Sequence, residues 1–321
     1  MSKYMTPVLV LAVAILAVAL FIKGGEVITA YQVVQETNQS ASTLNITNQA
    51  PTVDVDSIKC YDYNNAQITQ AAPLYLRGGT TANVVCNATA NDVNGGETIN
   101  GTTSGSSLGS IYLSGQGSGC SAAYRKCYQN ASCSMLGVKN ATAQYVECSY
   151  YVYYHADNTS QASNWVGNIT VGDAARFGSA DTTFDVGELL AVGVPGILAF
   201  GTAQPGDVLK TNKSHAVTNY GNVEIDLKLN GSSVGMDCTS AQDIPVGNID
   251  YNCDASQASF NGTNLTTGAS SAGCTGFNHV KETEDTGAIT ETTKNTYWGV
   301  DVPIGVSGNC QGTIWFTAIL S

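Results

Sequence analysis

The sequence predicts an all-β protein in which two antiparallel β-sandwich domains follow an N-terminal transmembrane helix. Three observations carry this. The run from Met5 to Ile22 contains no charged residue. From residue 51 onward, apolar and polar residues alternate in short segments broken by Gly, Asn and Ser, which is the period of strands rather than of amphipathic helices. Only 12% of residues are charged while 34 are glycine, a composition that suits many short strands and turns.

The apolar run comes first. At ~1.5 Å of rise per residue, Tyr4 to Ile22 gives a helix of about 28 Å, close to the ~30 Å hydrocarbon core of a bilayer. Lys3 precedes the run, while Lys23 and Glu26 nearly cancel after it, so the N-terminus is expected in the cytoplasm and the remainder outside. Residues 1–22 therefore read as a signal anchor or a signal peptide. In the second reading Ile28-Thr29-Ala30 is the cleavage site, but Lys23-Gly24-Gly25-Glu26 sets it unusually far from the apolar run, which favours the anchor. A pilin-type leader lacks its basic-small junction, since Tyr4-Met5-Thr6-Pro7 stands there. Residues 23–50, rich in Gln, Asn, Ser and Thr, read as a polar tether. The expected location is the cell membrane with an extracellular ectodomain, or secretion if the segment is cleaved.

Thirteen basic residues face 25 acidic ones, a net charge of −12, and no Lys/Arg stripe exists to neutralise phosphates. Nucleic acid is excluded as a partner on that ground. The ten cysteines fall as Cys60, Cys86, Cys120, Cys127, Cys133 and Cys148 in one half and Cys238, Cys253, Cys274 and Cys310 in the other. Even numbers in each half, with no C-x-x-C pair, point to disulfides formed in an oxidising space rather than to zinc. Twelve N-x-[ST] sequons, at Asn38, Asn45, Asn87, Asn100, Asn130, Asn140, Asn158, Asn168, Asn212, Asn230, Asn261 and Asn264, suggest a glycosylated surface protein. An Asn/Thr-rich composition supplies part of that number by chance.

The first sandwich is expected over residues 51–175. In the stretch from Ala82 to Ala88, period two places Ala82, Val84, Cys86 and Ala88 on one face and Asn87 on the other. From Val146 to Tyr154 the same rule groups Val146, Cys148, Tyr150, Val152 and Tyr154. Two inward cysteines on strands about 60 residues apart match the inter-sheet bridge of an immunoglobulin-like sandwich. A Cys86–Cys148 bridge is therefore expected, and Trp165 to Val171 is the closing strand. Outward Tyr151 and Tyr153 form a candidate binding surface for sugar or protein, against the plainer reading of ordinary aromatic strand residues. Asn91 to Glu97 reads as a hairpin turn rather than a calcium loop. Gly105-Ser106-Ser107-Leu108-Gly109 matches G-x-S-x-G, but no strand before it and no helix after it supply the elbow such a nucleophile needs. Cys120, Cys127 and Cys133 look like a stapled excursion, and with Cys60 their pairing is left open.

Residues 172–189 lose the alternation, which places a linker at 176–188 and the second sandwich at 189–321. Leu189 to Val192 and Ile197 to Phe200 read as strands, and Gln204 to Asp207 as a turn. Asn222 to Leu229 alternates most cleanly, with Val223, Ile225, Leu227 and Leu229 inward. Tyr297 to Pro303 and Gly312 to Ala318 read as a terminal hairpin. Here Cys238–Cys253 and Cys274–Cys310 are the preferred pairs. The strand Ile314 to Leu320 holds neither charge nor proline, so it is expected in the middle of its sheet, or else covered by another chain through the tether's Val27 to Val34.

Two pieces of this half occur together elsewhere. Phe200-Gly201-Thr202, Pro205-Gly206 and Val217 to Val223, with Tyr297-Trp298, Val302-Pro303 and Gly312 to Ala318, resemble β-sandwich domains of archaeal cell-surface proteins. The strands around Cys86 and Cys148 look like the immunoglobulin-like module that accompanies such domains. The resemblance implies a surface role and carries no catalytic residue, metal ligand or cofactor. His155, His215 and His279 stand apart and read as surface or turn histidines, so catalysis is not expected. What remains is a non-enzymatic structural or adhesive protein, with the membrane, other surface proteins or further copies of itself as partners. The alternative is a subunit of a surface array or fibre assembled by strand donation.

Overall fold

The computed structural model describes residues 44, 46–96, 99, 109–130, 133–159, 164–173, 176–239, 242–253, 262–268 and 273–321. The expected membrane helix, most of the tether, the G-x-S-x-G serines, and Asn38, Asn45, Asn100 and Asn261 lie outside these residues. Among the described residues no helix is long and apolar enough to cross a membrane. Asn48–Ser321 form one compact unit.

The chain is all-β, as expected. The first sandwich is built from β1 (Thr52–Val53), β2 (Lys59–Tyr61), β3 (Gln67–Ile68), β4 (Thr81–Asn91), β5 (Gly109–Leu113), β6 (Cys127–Asn130), β7 (Ser134–Asn140), β8 (Ala143–Tyr153), β9 (Trp165–Gly172) and β10 (Phe177–Phe184). One sheet runs β3-β2-β4-β8-β7 with β1 also on β4, and the facing sheet runs β10-β9-β5-β6. Alternation does the work here: Ala82, Val84, Cys86 and Ala88 of β4 and Val146, Cys148, Tyr150 and Val152 of β8 all point into a core completed by Ile111, Trp165, Ile169 and Phe184. The turn after β4 is held by Asp92, whose Oδ1 accepts from Asn94 N at 2.8 Å. The stretch expected as a linker is corrected, because residues 177–184 form β10, paired with β9 from Phe177↔Gly172 to Phe184↔Trp165. Its small and polar residues hid an edge strand whose alternate positions face solvent.

The expected Cys86–Cys148 inter-sheet bridge is also corrected. The two cysteines are direct register partners on neighbouring strands of one sheet. Each bonds to its other flank, Cys86 to Cys60 on β2 and Cys148 to Cys133 just ahead of β7. Two disulfides thus form a row of four sulfurs across a single sheet. Inward spacing along two strands identifies buried cysteines, but a sheet neighbour satisfies it as well as an opposite sheet does. The facing sheet meets the row with Gly109 and Gly167. A Cβ at Gly109 would lie 2.7 Å from Cys148 Sγ and 3.0 Å from Cys133 Sγ, and one at Gly167 would lie 2.9 Å from Cys60 Sγ.

The second sandwich contains β11 (Val192–Gly193), β12 (Val208–Asn219), β13 (Ile225–Cys238), β14 (Ile249–Asn252), β15 (Thr263–Asn264), β16 (Cys274–His279), β17 (Thr293–Asp301) and β18 (Cys310–Leu320). A five-stranded sheet, β11-β12-β17-β14-β15, faces a three-stranded sheet, β16-β13-β18. Ile225, Leu227 and Leu229 pack against Trp298, Val300 and Phe277 in its core. The turn at Gln204–Asp207 closes with Asp207 N donating to Gln204 O at 3.0 Å. Of the two strands expected between 189 and 200, only Val192–Gly193 pairs. Leu198 and Phe200 lie against the core without a strand partner.

Three further expectations for this half are overturned. β17 and β18 belong to different sheets, so no terminal hairpin exists. β18 pairs only with β13 and stands at the edge of its sheet, not in the middle. The disulfides are Cys238–Cys310, direct register partners on β13 and β18, and Cys253–Cys274. The latter joins the end of β14 to the start of β16 and so links the two sheets, which the first sandwich does not do. Sequence proximity favoured Cys238–Cys253, but strand register brought Cys310 to within a Cα–Cα distance of 4.0 Å of Cys238.

Candidate functional site

The candidate site grows from a mismatch in strand lengths. β7 accompanies β8 only from Ala143 to Glu147, leaving the end of β8, with Ser149, Tyr151 and Tyr153, beyond its reach. β6 crosses the open flank there. Tyr128 Oη accepts from Tyr153 N at 3.0 Å and donates to the carbonyl oxygen of Tyr124. Burial pushes the Tyr128 hydroxyl far above its ordinary value, so it stays protonated and keeps that donor role.

Rings continue the contact. Tyr124 and Tyr153 have centroids 4.5 Å apart at 41°, Tyr128 and Tyr153 lie 6.4 Å apart at 23°, and Tyr128 reaches Trp165 at 6.0 Å. Beside this file lies a hollow of about 240 Å³ lined by Tyr124, Gln129, Ser149, Tyr151 and Tyr153 among others. Tyr151 is 66% exposed at its mouth. The structure therefore brings together the two tyrosines singled out from the sequence, but with different roles, since Tyr151 is open and Tyr153 is half-buried under Tyr124. Tyr124, Tyr128 and Gln129 were missed. Their only sequence signal was proximity to Cys120 and Cys127.

Cys120 and Cys127 bond to each other and staple the excursion that carries Tyr124. With Tyr112 they make a small second core on the outer face of the β5–β9 sheet. Ser110 and Asn168, outward by alternation on the same sheet and direct register partners, are buried as well, and Asn168 is held by Asp181 of β10. A guanidinium anchors the excursion to the second sandwich. Arg125 Nε and Nη2 donate to both carboxylate oxygens of Asp285 at 2.9 and 2.7 Å, and Tyr124 N donates to Asp285 O at 2.8 Å. This fork holds the Asp285 carboxyl below its ordinary range. Lys281 Nζ to Asp157 Oδ1 at 2.6 Å and Asn222 Nδ2 to the carbonyls of Ala156 and Gly187 complete a polar seam between the sandwiches.

The histidines correct the surface reading. His155, His215 and His279 are all buried, and burial lowers the pKa of each. His155 lies in the seam with Nε2 3.2 Å from Glu284 O, and His279 Nε2 lies 2.9 Å from Val217 O. They stay apart, on separate elements. Among the described residues no group of three His, Cys, Asp or Glu could hold a metal ion.

The sequons divide by exposure. Asn140 and Asn264 are exposed, Asn87 and Asn230 are half-buried, and the side chains of Asn130 and Asn212 lie outside the described residues. Asn158 and Asn168 are corrected as glycan carriers: they are 0% and 5% exposed, and Asn168 Nδ2 donates to Asp181 Oδ1 at 2.5 Å. A sequon fixes the acceptor sequence, not the space a glycan needs.

No family model matches the chain, and no curated protein matches it. Among solved structures, a chain described as "Chaperone-tip adhesin complex is vital for synergistic activation of CFA/I fimbriae biogenesis" is similar over 85% of this chain and 84% of its own length. Identity is 8% and the TM-score is 0.27, too low for the likeness to carry an argument.

Proposed function

We propose that the chain is a non-enzymatic cell-surface protein, anchored by residues 4–22, exported beyond them and glycosylated at its exposed sequons. Its first sandwich carries an adhesive face at the tyrosine hollow. The observation that carries this reading is the exposed ring of Tyr151 beside the Tyr124–Tyr153 pair, with Gln129 and Ser149 as polar neighbours, on a base fixed by the Cys120–Cys127 disulfide. An apolar ring face flanked by amide and hydroxyl groups suits a sugar ring, whose C–H face stacks while its hydroxyls find partners. Five disulfides with no free cysteine among the described residues support an oxidising, extracellular setting.

A glycan array probed with the purified full chain and with Tyr151→Ala tests this. Binding to a defined glycan class is expected, weakened about tenfold by the substitution, as for an exposed aromatic anchor. Equal binding by both proteins, or none by either, rejects the adhesive face. A second reading, a subunit of a surface fibre or array, is favoured by the edge position of β18.

A further inference from the structure

The three-stranded sheet of the second sandwich is sealed on one strand and open on the next. Ile225, Leu227 and Leu229 of β13 are each 0% exposed. Their direct register partners on β18 are Leu320, Ala318 and Phe316. Those residues point toward the same core, yet Ala318 and Phe316 are only half-buried and Leu320 is 53% exposed. Ile314 is likewise half-buried. The core is thus incompletely covered along β18, and the strand's outer edge has no ladder partner among the described residues. Natural edge strands are blunted by charge, proline or short length. β18 is eleven residues long and has no charge and no proline.

We infer that β18 accepts an added strand, and that the strand is residues 27–35 of a second copy of this chain. This deepens the fibre reading by naming the donor. Val27-Ile28-Thr29-Ala30-Tyr31-Gln32-Val33-Val34-Gln35 is uncharged, free of proline, rich in β-formers and bounded by Glu26 and Glu36. Nine residues at ~3.3 Å cover about 30 Å, most of the length of β18. One alternation phase offers Val27, Tyr31 and Val33 and the other Ile28, Ala30 and Val34 to close over Ile314, Phe316 and Ala318.

Geometry selects a second copy over the same chain. Every strand pair in the second sandwich is antiparallel, so the donor runs against β18 and places residue 35 beside Cys310. The Leu320 end of β18 faces Ile225, near the seam at Asn222, so Cys310 lies at the end remote from the first sandwich. The chain enters the first sandwich at its own remote end, where Asn48 Nδ2 donates to Asp173 and Thr52 pairs with Asn91. β4 and β18, eleven residues each, laid end to end separate these points by about 70 Å. The twelve residues 36–47 reach about 40 Å when fully extended. Residues 36–47 of one copy therefore fall short of its own β18 in this orientation, and the donor strand comes from a second copy. Such a contact is heterologous, and when each copy donates to the next, repetition gives a head-to-tail polymer.

The test places a photo-crosslinking phenylalanine analogue at Tyr31 in the full chain and mixes isotopically light and heavy copies. Crosslinks from residue 31 to residues 310–320 are expected in mixed light–heavy pairs, together with polymers visible by electron microscopy. Tyr31→Pro, which lies outside both sandwiches, and the exposed pair Trp315→Lys with Thr317→Lys should each abolish the polymers while leaving the five disulfides intact. Crosslinks only within single copies, or a mature chain that begins after residue 35, overturn the inference. Polymers that persist in Tyr31→Pro overturn the donor assignment while leaving assembly itself standing. Absence of any polymer overturns both.

Discussion

Gly167 on β9 stands opposite Cys60 on β2, so close that a Cβ on the glycine would lie 2.9 Å from the cysteine sulfur. Gly109 on β5 stands in the same relation to Cys148 and Cys133. The two glycines leave room for a row of disulfides that fills the space between the sheets. Gly167→Ala is expected to destabilise the protein by about 1–3 kcal/mol, the usual cost of forcing atoms into a filled core. Chemical denaturation monitored by tryptophan fluorescence measures it, and an unchanged midpoint would show that the sulfurs yield freely.

Non-reducing peptide mapping should recover Cys60–Cys86, Cys120–Cys127, Cys133–Cys148, Cys238–Cys310 and Cys253–Cys274, with no Cys86–Cys148 peptide. The Cys238–Cys310 link spans 72 residues, and the chain-entropy model assigns such a loop about 4 kcal/mol. Replacing both cysteines by Ala should cost up to that amount, more than replacing Cys120 and Cys127, which are seven residues apart.

Arg125 and Asp285 tie the stapled excursion to the second sandwich. Their side chains are 21% and 31% exposed, so the pair is partly shielded from water. Arg125→Ala is expected to cost about 1–2 kcal/mol through loss of the charge-assisted fork, and to raise hydrogen exchange across residues 120–127. Exchange that rises uniformly over both sandwiches, rather than there, contradicts a local anchor.

Acid should weaken the fold before the carboxylates titrate. His155, His215 and His279 have pKa values lowered by burial, so the unfolded chain binds their protons more readily than the folded one. The resulting stability is present above the ordinary histidine value of about 6.5 and is lost as pH falls through it toward the lowered folded values. A melting temperature that falls between pH 7 and pH 5, less steeply in His155→Gln, is the expected result. The Asp285 carboxyl, held low by Arg125, adds a further loss at still lower pH.

Local physics determined much of this protein from sequence alone. Period-two alternation fixed β4, β8 and β9 and the inward side of β13, because one face of each strand must leave water and the next residue must not. The even cysteine halves pointed to disulfides for the same elementary reason that exported thiols oxidise. The tertiary structure decided everything that depends on which strand lies beside which. Alternation gave Cys86 and Cys148 an inward direction, but only register showed them to be neighbours in one sheet, each bonded outward to a third strand. β10 escaped notice because the residues between Phe177 and Phe184 are Gly, Ser, Ala, Asp and Thr, which leave no hydrophobic pattern. Asn168, outward by alternation, is buried and bonded to Asp181 of β10, a neighbour that only strand pairing supplies. Tyr151 was legible as an exposed aromatic, while its neighbours Tyr124, on the disulfide excursion, and Tyr128, on β6, are placed by contacts far apart in the chain. The edge position of β18 is of the same kind: its lack of charge is written in the sequence, and its missing neighbour is a property of the sheet.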